Sequence, residues 1–284
     1  MTRQPDFTGV RIKVERAKEH FRDLQARIEG LQEDNAYKAI PYDEPNTGDL
    51  VYKAKIGNQP PPYWSAIVGD CVHNLRSSLD LLVCEMLRAG DRKIERHHKF
   101  PVFRDETAYT NAFKPGPPGA IKGIPKCAVD LIKDAKPHEG PDNAFGRLHK
   151  LDIADKHHLL VPVGVVHRKI ITTFRLDDFS DFSGLNHDPT TIIDGELVTP
   201  PHGITPVGLR FPLEDGAEIY RVPASLRADP RAQMHVYPEL VIEVAFGEVE
   251  VVEGEPIIPT LHQLIQFVEG FIQLFPPLFS QESS

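Results

Sequence analysis

Tyr63-Trp-Ser-Ala-Ile-Val-Gly-Asp-Cys-Val-His-Asn-Leu-Arg-Ser-Ser-Leu-Asp-Leu-Leu-Val-Cys-Glu-Met-Leu-Arg-Ala89 is the stretch that decides the reading of this chain. Val68, Val72, Leu75, Leu79, Leu82 and Met86 recur at steps of 4, 3, 4, 3 and 4, the spacing of one face of an α-helix. The pattern predicts a helix over about 63–89, stopped by Ala89-Gly90-Asp91. At about 100° per residue, Asp70, His73, Arg76, Ser77 and Asp80 fall on the opposite side. A routine solvated face is rich in Lys and Glu. This one carries His, Asn, Arg, Ser and Asp, whose short or directional groups suit a specific hydrogen-bond network.

Proline marks where such helices can stand, because it removes a helix hydrogen bond and clashes with the preceding turn. The chain has 26 prolines in 284 residues, and four long stretches lack them. Asp6–Ile40 carries Ala17, Phe21, Leu24, Ile28 and Leu31 at steps of 4, 3, 4 and 3, which predicts an amphipathic helix over about 9–34. Tyr63–Phe100 holds the helix already described. Asp142–Val161, after Pro141, predicts a helix over about 142–157. Thr260–Phe275 puts Leu261, Leu264, Ile265, Val268 and Ile272 on one face, a closing helix of about 260–275 ended by Pro276-Pro277.

Between the first two helices, Ala36–Ile40 and Leu50–Ile56 flank Pro45-Asn-Thr-Gly48, which reads as a β-hairpin over about 36–56. Downstream, Leu159–Leu176, Thr191–Val198, Val207–Leu213, Glu218–Val222, Met234–Phe246 and Glu248–Val252 are β-rich segments separated by Gly, Pro, Asn and Asp. Lys114-Pro-Gly-Pro-Pro-Gly119 reads as a loop. The fold class is therefore α+β: a helical half with the hairpin over 1–158, then an antiparallel β-rich half with the closing helix over 159–284. The hairpin and last helix can cross between the halves, and one fused domain is the alternative organisation.

Composition narrows the function classes. Acidic residues outnumber basic ones, 41 to 32, for a formal charge of -9, which argues against a general nucleic-acid or membrane coat. Cys71, Cys84 and Cys127 form no C-x-x-C pair, so neither a disulfide framework nor a cysteine-rich zinc site is expected. With no apolar stretch in Met1–Asp6 and no run of about 20 apolar residues, the expectation is a soluble, cytoplasmic protein with no membrane partner.

The third helix supplies a partner for the polar face. Leu148, Leu151, Asp155 and His158 fall in one sector, so Asp155 points with leucines. A carboxylate there is costly unless paired, and Arg76 and His73 are the expected partners. Two outcomes follow from the same residues: an interhelical clamp, or a pocket lined by His73, Arg76, Asp80, Asp155 and His158 that takes a small anionic or nucleotide-like ligand.

The motifs Gly69-Asp-Cys-Val-His-Asn-Leu-Arg-Ser-Ser-Leu-Asp80, Phe100-Pro101 and Leu148-His-Lys-Leu-Asp-Ile-Ala-Asp-Lys-His157 resemble a family of bacterial and phage-associated proteins. Its pattern is G-D-x-x-H-N-L-R-S-x-L-D, then F-P, then L-x-x-L-x-x-x-D-K-H. The resemblance implies a β-rich C-terminal part. It singles out His73, Asn74, Arg76, Asp80, Asp155, Lys156 and His157. It carries no activity with it.

Other chemistry is thinly represented. His73 and Asp80 lie about 10 Å apart along the helix axis, too far to chelate one ion together, and no H-E-x-x-H or H-x-H motif is present, so no metal site and no cofactor are expected. P-loop, dinucleotide and nucleophile-elbow patterns are missing. Arg92-x4-His97 matches the R-x(4–6)-H signature of helical HEPN-type ribonucleases, inside Arg88–Lys99, which holds five Lys or Arg against two acids. Nucleic acid is favoured nowhere else. Three readings stand: a polar pocket for a small ligand, a HEPN-like metal-independent ribonuclease of defence or toxin type, and a structural protein whose polar cluster is a stability clamp. Cys71 and Cys84 read as packing residues, and Trp64 as a core anchor.

Overall fold

The computed structural model describes residues 4–33, 37–57, 60–140, 142–157, 162–173, 191–193, 196–198, 205–206, 214–227, 237–247, 252 and 254–280. In chain order the elements are α1 (Thr8–Glu33), β1 (Tyr37–Asp43), β2 (Leu50–Ile56), α2 (Trp64–Ala89), α3 (Glu106–Phe113), α4 (Lys126–Asp134), α5 (Ala144–His157), β3 (Pro162–Thr173), β4 (Thr191–Ile193), β5 (Glu196–Val198), β6 (Thr205–Pro206), β7 (Glu218–Val222), α6 (Ala224–Arg227), β8 (Tyr237–Phe246), α7 (Ile257–Gln273) and α8 (Pro276–Ser280). The protein is α+β. Among the described residues no helix is long and apolar enough to cross a membrane.

The chain divides into two compact units. One comprises Met1–Arg27, Pro61–Pro162 and Phe246–Ser284, the other Ile28–Pro60 and Val163–Ala245. The division follows type of structure more than chain order: the hairpin groups with the β-rich segment and the last helices with the helical segment.

In the helical unit α2 packs against α5 and α7. Val68, Val72, Leu75, Leu79, Leu82 and Met86 are each fully buried, so the periodic face is the face that meets the core. Each such burial contributes about 1.5–3 kcal/mol. Phe100 stands among Phe145 and Phe271 at ring separations of 5.0 and 5.6 Å, and Phe271 in turn meets Phe275 at 5.2 Å. The ends of α2 are set by the backbone. Pro61 and Pro62 carbonyls accept from Trp64 and Ser65 at its start, and the Gly90 N–H closes the last turn on Met86 and Leu87.

The closing helix begins at Ile257, three residues before the expected start. Pro259 is the reason it was placed late. With Pro256 as N-cap, Pro259 occupies the third helical position, where the missing N–H has no intrahelical partner to lose. Helix α5 starts at Ala144, because Asn143 Oδ1 accepts from the Phe145 and Gly146 N–H groups at 3.1 and 3.3 Å. Gly146 is required there: a Cβ would stand 2.5 Å from the His138 carbonyl oxygen. Between Pro101 and Pro141 the chain forms two helices that periodicity did not reveal. They hold eight and nine residues and fit between prolines, α3 being capped by Asp105, which accepts from Ala108 N–H at 2.7 Å.

In the other unit the sheet order is β1-β2-β7-β6, with antiparallel pairings throughout. The β2–β7 register shifts between Tyr52 and Lys53, and the successive side chains Val51 and Tyr52, on opposite faces of β2, are both buried. Strands β3 and β8 pair, as do β4 and β5, the latter within the expected Thr191–Val198 segment. The Val207–Leu213 segment and Glu248–Val251 lie outside the described residues.

Candidate functional site

The polar face of α2 resolves into two groups with different surroundings. The first is closed. Arg76 is 5% exposed and donates from Nη1 to Asp80 Oδ1 at 2.7 Å and from Nη2 to the Phe100 carbonyl at 2.9 Å. The Phe100 N–H donates to the same Asp80 oxygen at 2.8 Å. Arg76 and Asp80 thus grip both backbone groups of Phe100, whose ring is fully buried. This arginine does not meet Asp155, the partner expected for it. Its guanidinium is engaged with α2 itself and with the chain entering Phe100-Pro101. Asn74 is also occupied: its Nδ2 donates to the Asp70 carbonyl at 2.7 Å, and its Oδ1 accepts from Lys13 of α1 at 3.0 Å.

The second group is half open and lies between α2 and α5. His73 Nδ1 is 3.1 Å from Asp152 Oδ1, and Lys156 Nζ is 2.5 Å from Asp152 Oδ2. The Asp152 side chain is 4% exposed, whereas those of His73 and Lys156 are 50% and 52% exposed. Each oxygen of a nearly buried carboxylate therefore holds a donor that reaches solvent. A carboxylate oxygen accepts from the Nδ1–H of His73, and in that tautomer of the neutral imidazole Nε2 is an acceptor. Ser77, one turn along α2, places its Oγ 3.3 Å from that Nε2.

Asp155 sits beside this group in a different state. Its carboxylate lies against Gly69, where a Cβ would come within 1.9 Å of Oδ1, so the close approach depends on the glycine. Among the described residues no hydrogen bond or ion pair reaches Asp155. Burial pushes its pKa above the usual carboxylate value, and the neighbouring Asp152 and Asp70 charges push it further, against His73 and Lys156. The interhelical seam is thus an acid-rich patch with one lysine and one histidine on its rim.

Comparison with family models, curated proteins and solved structures found no match. The reading of the seam therefore rests on its own geometry. Among the described residues no group of three or more His, Cys, Asp or Glu side chains is placed to hold a metal ion.

Of the residues singled out from sequence, His73 and Lys156 come together through Asp152, and Asp155 adjoins them. Arg76 and Asp80 form the separate closed group, and Asn74 ties α1 to α2. His157 ends α5 with its side chain outside the description, and His158 lies outside the described residues. Arg92 and His97 occupy the exposed turn after α2. There His97 approaches Glu95 at 3.5 Å, and among the described residues no hydrogen bond or ion pair joins it to Arg92.

Two participants were missed. Asp152 falls about 40° from Leu148 on the α5 wheel, in the same sector as Asp155, so helix geometry contained the signal. His149 had none. Its Nδ1 is buried without a hydrogen-bond partner among the described residues, and burial, followed by the Arg76 charge, holds its pKa below the usual histidine value. Burial pushes the Cys71 thiol up to about 12, in keeping with a packing role, and Trp64 is 3% exposed.

Proposed function

We propose that the chain is a ligand-binding protein whose site is the half-open seam of His73, Asp152, Asp155 and Lys156, and that Arg76 and Asp80 serve as a stability clamp beside it. The observation that carries this reading is Asp155: a part-buried carboxylate pressed on Gly69, with no donor among the described residues and two solvent-reaching donors alongside. A group in that position gains when a ligand supplies a hydrogen-bond donor. Lys156 and His73 supply the complementary attraction for an acceptor or a single negative charge. The ligand class is therefore small and polar, with donors and one anionic group, as in a nucleotide-like molecule; with Arg76 engaged elsewhere, a multiply charged phosphate is less well matched. Binding is measured by ligand-observed NMR and thermal shift against a panel of nucleosides, nucleotides and small hydroxy acids. The expected result is a hit whose affinity falls at least tenfold in Asp155→Asn and in Lys156→Ala, and stays unchanged in Asp80→Ala. A panel with no hit, or hits indifferent to Asp155 and Lys156, removes the reading.

A further inference from the structure

We propose that Ser77, His73 and Asp152 form a nucleophile, base and orienting acid that transfer acyl groups from activated esters or thioesters. Three observations converge. The order of contacts is Ser77 Oγ to His73 Nε2 at 3.3 Å, then His73 Nδ1 to Asp152 Oδ1 at 3.1 Å, so opposite nitrogens of one imidazole face the hydroxyl and the carboxylate. That order is what a hydroxyl needs to be activated: the carboxylate fixes the tautomer, and the free nitrogen takes the proton. Accessibility runs in the useful direction as well, with Asp152 at 4%, His73 at 50% and Ser77 half-buried at the rim. Finally, Lys156 occupies the second Asp152 oxygen, which holds the carboxylate in one orientation. Ser77 and His73 are one turn apart on α2, so their spacing is fixed by helix geometry, while Asp152 arrives from α5.

In the first half-reaction Ser77 Oγ forms a bond to the acyl carbon as the bond from that carbon to the alcohol or thiol breaks. The hydroxyl proton passes to His73 Nε2 and from there to the leaving group. In the second, His73 takes a proton from water, the hydroxide adds to the acyl carbon, and Ser77 departs with that proton. The sum is ester plus water giving acid plus alcohol or thiol. The substrate class follows from what the site lacks in strength. Ser77 is inside a helix, where its backbone N–H is committed to the helical ladder, so no backbone pair flanks the nucleophile to receive an oxyanion. Lys156 is the cation of the group, and unactivated amides are accordingly out of reach.

This inference shares the seam with the proposed ligand site, and the test separates the two. The full chain is treated with a fluorophosphonate probe, mapped by peptide mass, and assayed with p-nitrophenyl acetate. The expected result is one label on Ser77, and hydrolysis that falls on the order of 100-fold in Ser77→Ala and in His73→Ala. Asp152→Asn, a positioning change, is expected to shift the pH profile of hydrolysis as well as lower it. Ser77→Cys keeps the fold and gives a second readout: its thiol is expected to react with iodoacetamide at pH 6.5 at least tenfold faster in the presence of His73 than in the His73→Ala background. Absence of label on Ser77, or thiol reactivity indifferent to His73, overturns the acyl-transfer inference and leaves ligand binding standing. Label on Ser77 with no ligand hit from the panel does the reverse.

Discussion

Removing either partner of the Arg76–Asp80 pair should destabilise the protein unequally, and the inequality can be worked from burial. The Arg76 side chain is 6% exposed and that of Asp80 is 39% exposed. In Arg76→Met the stem stays packed and Asp80 keeps both its Phe100 N–H bond and its access to water. The loss is the donor to the buried Phe100 carbonyl, about 1–3 kcal/mol for an acceptor left unsatisfied. In Asp80→Ala the reverse holds: a nearly buried guanidinium loses its counter-charge, and Phe100 N–H loses its acceptor. Breaking a buried pair in that way costs about 3–5 kcal/mol. The double variant Arg76→Met/Asp80→Ala should cost less than the sum of the two, because no unpaired cation is left. Urea unfolding of the full chain followed by fluorescence reads this directly. Trp64 is the single tryptophan and is 3% exposed in the same unit as the pair, on the same helix. Equal costs, a larger cost for Arg76→Met, or strict additivity would refute the clamp reasoning.

Three further outcomes test the seam and the core. Gly69→Ala, which in an open helix would gain about 0.5–1 kcal/mol, is expected to lower the melting temperature here, since the new Cβ would meet Asp155 Oδ1 at 1.9 Å; combined with Asp155→Ala it should become stabilising, and calorimetry on the four proteins of that cycle decides it. The raised pKa of Asp155 means that the native state binds its proton more readily than the unfolded chain, so its contribution is complete below the unfolded value near 3.8 and is lost as pH rises through the higher folded value. Asp155→Asn should therefore raise the melting temperature more at pH 7 than at pH 4, and an equal or opposite difference contradicts the assignment. A thiol reagent should label the exposed Cys127 in the native protein and reach Cys71, buried and with its pKa pushed to about 12, only in denaturant.

The four long helices were legible because each carries enough turns for a period to show, and proline-free stretches bounded them within a few residues. Helices α3 and α4 were not, because two turns give too few repeats to separate a period from chance, and their positions are set by local events such as the Asp105 cap. The α+β class and the hairpin were readable from composition and turn residues, but the grouping of the hairpin with a segment more than a hundred positions later is tertiary and has no local signal. At the site, the residue types were legible and the pairings were not. Arg76 found a backbone carbonyl 24 residues away, a partner that no side-chain pattern announces.

What the pairings do reveal is how one helix face serves two purposes. His73 and Ser77, and likewise Arg76 and Asp80, are i,i+4 pairs on α2, each made at neighbouring positions of the same polar stripe. The pairs are offset by three residues, about 60° around the axis, and that rotation is enough to give them different neighbours. Arg76 is long and turns toward the buried Phe100 backbone, where its two terminal nitrogens, Asp80 Oδ1 and both backbone groups of Phe100 satisfy one another. His73 is short and stays at the rim, where its Nδ1 meets Asp152 of α5, a carboxylate that is itself held by Lys156. A group whose donors are spent on the backbone has little left to offer a ligand, whereas a half-exposed imidazole with one nitrogen fixed and a hydroxyl on the other does. Burial at Arg76 anchors the seam, and exposure at His73 is what leaves chemistry available there.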